Sequence, residues 1–222
     1  LTPTCFVVCI SLQLKNKIKC LRKQVIFHDY VCLGAAGGKE CKVYMNELEE
    51  IIDKVINQSI LKSQDIPSLD LYMDQIMTLF ETNLSDNKRY NDDKLLTKTM
   101  INNYSKAGII KPVKGKKYTK EQIIGMLIIY NLKNIITIQE IKDLLLPIYE
   151  TNENLETIYN HFIQITTSQT QLKPIINNLI NIKQFDINNK NEKLITILVL
   201  ANLANQIIKV IEGIMDNNSK NI

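Results

Sequence analysis

The sequence predicts an all-α, mainly helical protein with a small β wing and a helical C-terminal region. Three observations carry this expectation. After residue 45, aliphatic residues recur at three-and-four spacing along most of the chain, the period of helices that each bury one face. Thr119 with Gln122 and Thr137 with Glu140 form two capping boxes, the local signature of a helix start. Only 7 Gly and 5 Pro interrupt 222 residues, of which 45% are apolar, so the chain is long and greasy enough to bury a core.

The chain divides near Met45. Residues 1–44 hold seven basic and two acidic side chains and all 5 cysteines of the protein, without a sustained periodic pattern. The cysteines at 5, 9, 20, 32 and 41 contain no C-x-x-C, and His28 is the nearby histidine, so neither a zinc module nor a secretory signal is expected. This piece reads as a non-native or disordered N-terminal extension, upstream sequence ahead of a start at Met45. Three further parts are expected: an N-terminal helix at 45–65, a winged-helix module at 66–148, and a helical region at 149–222 that can dimerise.

The elements follow in order. Over 46–62, Leu48, Ile51, Ile52, Val55 and Ile56 form one stripe opposite an acidic face. After Pro67, Ser68 is the expected N-cap of a helix burying Leu69, Tyr72, Met73, Ile76, Leu79, Phe80 and Leu84. The polar run 85–93 is a loop. Thr97 caps a short helix ending at Gly108, the residue that best accepts a left-handed conformation. Pro112 and Gly115 bend K-P-V-K-G-K-K-Y into a basic hairpin or turn. Thr119 then starts a helix carrying Ile123, Ile124, Leu127, Ile128 and Leu132, and Thr137 starts a short one that Pro147 is expected to end. Further helices are expected at 154–168, around Pro174, and at 192–215. The last is apolar on nearly every side between Leu194 and Leu203, fitting either a central helix or a dimer interface.

Charge locates the chemistry. Residues 45–87 carry two basic and nine acidic side chains, 121–222 eight and ten, and 88–120 ten and two. The net +4 of the whole chain is therefore less informative than the cationic segment that contains the short helix and the turn. On that helix Met100, Ile101, Tyr104 and Ala107 can face a core, leaving Lys98, Thr99, Asn102, Asn103 and Lys106 on the other side. Asn pairs bidentately with adenine in the major groove, and Lys reaches phosphate or guanine. Lys111, Lys114, Lys116 and Lys117 of the turn would add backbone contacts, so DNA is the expected partner. A solvated helix face is the plainer alternative for the same residues.

Other classes fare worse. His161 is the one histidine after residue 45, no cysteine follows it there, and no nucleophile-elbow, Walker or Rossmann pattern is present, so neither an enzyme, a cofactor nor a metal site is expected. No run reaches the roughly 18 uncharged apolar residues of a membrane span. Asn202, Asn205, Gln206, Lys209 and Glu212 interrupt the last helix, so no membrane and a cytoplasmic location are expected.

D-L-Y-M-D-Q at 70–75, L-T-K-T-M-I-N-N-Y at 96–104, K-A-G-I-I-K-P at 106–112 and K-K-Y-T-K-E-Q at 116–122 resemble an uncharacterised bacterial family known as domain of unknown function 1836, over about residues 66–148. More distantly, the order of short helix, basic turn and helix pair is similar to the DNA-binding part of MerR-type regulators. That resemblance implies a winged helix-turn-helix in which Lys98, Asn102 and Asn103 read the groove and Lys114, Lys116 and Lys117 clamp the backbone from the wing. It departs from the pattern where Asn102 or Asn103 stands in place of the usual Arg, and in the long loop at 85–95. The expected function is a DNA-binding transcriptional regulator, with a helical protein–protein interaction protein as the alternative.

Overall fold

The structure is a computed structural model that describes residues 26, 27, 30, 31, 47–113, 115–151, 153–168, 172–180, 182 and 185–218. The expected extension at 1–44 lies outside the described residues, apart from a short antiparallel ladder of Ile26–Phe27 (β1) with Tyr30–Val31 (β2).

Helix α1 (Glu47–Ile56) carries three acids in its first turn, where they favour the positive end of the helix dipole. It stops at Ile56, short of the expected end at 62. At Asn57 the backbone and side-chain amides both bond the Asp53 carbonyl, and the polar Asn57-Gln58-Ser59 that follows is not helical. Leu48 and Ile52 are buried, whereas Ile51 and Val55 remain half exposed. The non-helical stretch delivers Leu61 to the main core at 1% exposure.

Strand β3 (Leu71–Tyr72) leads straight into α2 (Met73–Leu84). Ser68 is therefore not the cap: Tyr72 holds that position, with its N–H donating to the Gln75 side chain at 2.8 Å. Ile76, Phe80 and Leu84 face inward as their spacing predicts, while Leu69, outside the helix, is 77% exposed. Helix α3 (Lys98–Lys106) begins at Thr97, whose hydroxyl accepts from the Met100 N–H at 3.1 Å. It ends where Gly108 takes φ +72°, and the Ile109 N–H returns to the Tyr104 carbonyl at 3.0 Å. That reversal turns Ile109 and Ile110 into the core.

Strand β4 (Lys117–Tyr118) follows a turn at Gly115, φ +79°. Of the expected hairpin or turn, the structure has the turn, and the partner of β4 is distant in sequence. β4 pairs antiparallel with β3, matching Leu71 to Tyr118 and Tyr72 to Lys117, so the small β wing joins the start of α2 to the basic turn.

Helix α4 (Lys120–Leu132) is the central helix, with Ile123, Ile124, Met126, Leu127 and Ile129 all at or near zero exposure. Apolar residues all round are what a helix surrounded by others requires. Helix α5 (Ile138–Glu150) contains Pro147 instead of ending at it. The missing N–H falls in the last turn, on an exposed flank opposite Asp143, where water can serve the unpaired carbonyl. Helix α6 (Leu155–Ser168) packs on α4 through Leu155, Tyr159 and Ile163.

The C-terminal region is not separate from the N-terminal helix. Helix α7 (Leu172–Leu179) meets α1, and Leu48, Ile52, Ile176 and Ile182 form a second, smaller core with Leu200 against it. Lys173 lies 3.3 Å from Asp53 and 3.7 Å from Glu49. Helix α8 (Lys190–Asn218) leaves Leu194, Ile195, Ile197, Leu198, Ile207, Val210 and Ile214 more than half exposed, so it is not the central helix. Among the described residues it is the one helix long and apolar enough to cross a membrane by length and composition, although Lys193 and Lys209 bound its uncharged run.

Candidate nucleic-acid interface

Two buried side chains anchor α3. Ile101 and Tyr104 point into the core, and burial raises the Tyr104 hydroxyl above its ordinary pKa. Lys98, Thr99, Asn102, Asn103 and Lys106 form the exposed side of the helix. Ala107, expected inside, is exposed too, because the chain is already turning at the helix end.

The start of α2 organises the surroundings. Asp74 accepts from the Lys98 ammonium, and the Lys117 ammonium lies 5.0 Å from the Tyr72 ring centroid. Two residues at one helix end thus touch both the beginning of α3 and the strand of the wing. The base of the turn is fixed by Gln122, whose buried amide donates to the Lys111 and Pro112 carbonyls at 2.9 and 3.0 Å while its carbonyl caps Thr119 at 2.8 Å. One side chain therefore closes the capping box and pins the turn.

The predicted cations divide into two sets. Lys98 pairs with Asp74; Lys111 pairs with Glu121 at 2.8 Å and lies 5.0 Å from the Tyr149 ring centroid. Lys106 and Lys116 are exposed, and with Lys117 they have no carboxylate partner among the described residues. Lys114 lies outside the described residues. Across 88–120, Lys88 pairs with Glu81 and Lys120 with Glu156 as well, so four of the ten cations are matched by acids from outside the segment. The surface field is correspondingly weaker than the sequence charge of that segment implies.

Three contributors escaped the sequence reading. Tyr149 donates to the Ile109 carbonyl at 3.1 Å, and burial, assisted by the Glu121 charge, pushes its pKa up to about 12. Gly125 makes room for it: a Cβ there would sit 3.2 Å from the Tyr149 hydroxyl. A glycine inside an otherwise strong helix is the sequence signal of such a close approach. Lys142 on α5 brings its ammonium beside Gly108, 4.0 Å from where a Cβ would lie, and adds a cation near the end of α3.

Tyr159 closes the domain. Its hydroxyl donates to the Leu61 carbonyl at 2.8 Å, and desolvation raises its pKa to about 12. No curated protein and no solved structure matches the chain. The match to a family model runs over residues 61–162, further at both ends than the motifs indicate, so the Leu61–Tyr159 bond ties together the beginning and end of the matched span. With β3, β4 and α2 to α5 all inside it, the span 61–162 is similar to the family described as Domain of unknown function (DUF1836).

Proposed function

We propose that this protein is a DNA-binding regulator, inserting α3 into a groove while the basic turn contacts the backbone. The observation that carries the reading is the exposed face Thr99, Asn102, Asn103 and Lys106, on a helix whose opposite side is anchored and which shares the start of α2 with the wing. Asn102 and Asn103 offer base-edge hydrogen bonds; Lys106, Lys114, Lys116 and Lys117 supply phosphate contacts. The order of these elements also supports the resemblance to MerR-type regulators.

One observation favours the alternative of a protein–protein interaction module. Lys98 is engaged by Asp74, a carboxylate that a DNA phosphate would have to displace or repel. Replacing Lys106, Lys116 and Lys117 together by Glu separates the readings. The DNA reading expects loss of retention on duplex DNA with folding unchanged; equal retention, or none by the wild type, supports the alternative.

In this reading the protein works as a cytoplasmic homodimer joined through α8. Leu194, Ile197, Ala201, Ala204, Ile208, Ile211 and Met215 follow heptad spacing, and the N-terminal part of this seam is uncovered. An antiparallel pair would bring Lys190 and Lys193 of one copy towards Glu212 and Asp216 of the other, whereas a parallel pair would set like charges together. Replacing Leu194 and Leu198, both 58% exposed, by Glu is expected to give a monomer with unchanged helix content by light scattering and circular dichroism. A wild-type monomer that floats with lipid vesicles would instead make α8 a membrane segment.

A further inference from the structure

A second feature of the cationic segment faces away from this reading. The end of α1, the stretches 58–61, 87–89 and 93–95, the ends of α2 and α4 and one side of α6 surround an open cleft of about 720 Å³, within the range of roughly 300–1,000 Å³ usual for small-molecule sites. Its floor offers apolar surface from Val55, Ile60, Tyr130 and Phe162, with Leu61, Leu84, Leu95, Leu127 and Tyr159 buried beneath. Its walls are pinned. Asn87 accepts from the Ser59 N–H at 2.9 Å and donates to the Ser59 carbonyl at 2.7 Å, while Tyr159 holds Leu61.

Arg89, Lys94 and Lys133 line the same cleft, and among the described residues none of them has a carboxylate partner. Arg89 rests 5.1 Å from the Tyr90 ring centroid, and Lys133 donates to the Leu95 carbonyl at 2.6 Å. An ammonium has three N–H donors, so that carbonyl leaves Lys133 with donors to spare. Desolvation lowers the pKa of Lys133, as expected of a cation held partly out of water. Asp93 also lines the cleft, its carboxylate accepting from the Tyr90 N–H, and Arg89, Lys94 and Lys133 outnumber that one charge. Phosphate contact alone has no use for an apolar floor.

We propose that this cleft binds a small organic anion with an apolar body, its charge met by Arg89, Lys94 and Lys133 and its body lying on Val55, Ile60 and Phe162. The site is independent of DNA binding and stands or falls separately from it. Titration calorimetry on the full chain with octanoate, 3-phenylpropionate, 1-octanol and inorganic phosphate tests it. One octanoate or phenylpropionate per chain is expected, with 1-octanol and phosphate weaker by at least about tenfold. Lys133→Met, and separately Arg89→Glu with Lys94→Glu, should each weaken the organic anion by about tenfold or more. The second variant changes only exposed side chains, so it keeps the test decisive if Lys133→Met fails to fold. Four results would overturn the proposal: no saturable binding of either carboxylate, equal binding of 1-octanol, equal binding of phosphate, or unchanged affinity in the double variant. A loss of single-stranded DNA binding in that variant, with octanoate binding unchanged, would assign these cations to nucleic acid and overturn it as well.

Discussion

Gly125 shows how one residue can be read in two opposite ways. Within a helix, Gly→Ala ordinarily gains about 0.5–1 kcal/mol. Here the added Cβ would crowd the Tyr149 hydroxyl, which is engaged with the Ile109 carbonyl and has little freedom to move aside. Gly125→Ala is therefore expected to destabilise by about 1 kcal/mol. In a Tyr149→Phe background the same change should be neutral or stabilising, which a double-mutant cycle by urea denaturation reads directly. Tyr159→Phe is a cleaner deletion. It leaves the buried Leu61 carbonyl without its partner, for a loss of about 1–3 kcal/mol by the same measurement. Neither tyrosine could be assigned from the sequence, because an aromatic at helical spacing looks the same whether or not its hydroxyl crosses to another segment. The exposed Asn and Lys residues of α3 were legible, since one turn of apolar anchors fixes which side remains outside.

At the scale of elements, the helix starts were more legible than the helix ends. Thr97, Thr119 and Thr137 each accept the N–H three residues on, because that chemistry is local. Endings depend on tertiary demand. α1 stops at Ile56, short of its expected end, and leaves a non-helical stretch that carries Leu61 into the core, and α5 passes through Pro147 because its exposed flank tolerates a missing bond. The pairing of β3 with β4 was illegible for a related reason: two residues a side give no period to read. The α5 cap carries a pH dependence. Glu140 accepts from both the Thr137 hydroxyl and its N–H, which holds its carboxyl below the usual range. Its contribution is present above that range and lost as pH falls through the lowered pKa. Glu140→Gln keeps a capping partner without the titration, so the variant should lose less α5 protection than the wild type in hydrogen exchange on acidification. Equal loss in both would place the acid sensitivity elsewhere. Thr119→Ala should cost about 1 kcal/mol, and it should loosen the basic turn too, because Gln122 serves both.

For the whole molecule, the division of charge matters more than its sum. Sequence placed ten cations in one segment; of the nine described, folding matched four with outside carboxylates, put three others on α3 and the wing and two in the cleft. A segment's charge is legible in its residues, but the field it projects depends on which acids other elements bring alongside. The same holds for architecture. The joining of α1 to α7 and the exposed apolar length of α8 are long-range results that no window of sequence contains. If α8 is covered by a second copy, chain mass in solution should be about twice 25.6 kDa and fall to one copy in the Leu194→Glu, Leu198→Glu variant. The central claim is DNA binding through α3 and the basic turn, and the salt dependence of affinity for a pool of duplex fragments tests it most directly. Lys106, Lys114, Lys116 and Lys117 as phosphate contacts predict a slope of about −3.6 per bound chain in log affinity against log salt, flattened when Lys106, Lys116 and Lys117 become Glu. A wild-type protein with no salt-sensitive affinity at about 50 mM salt would contradict it.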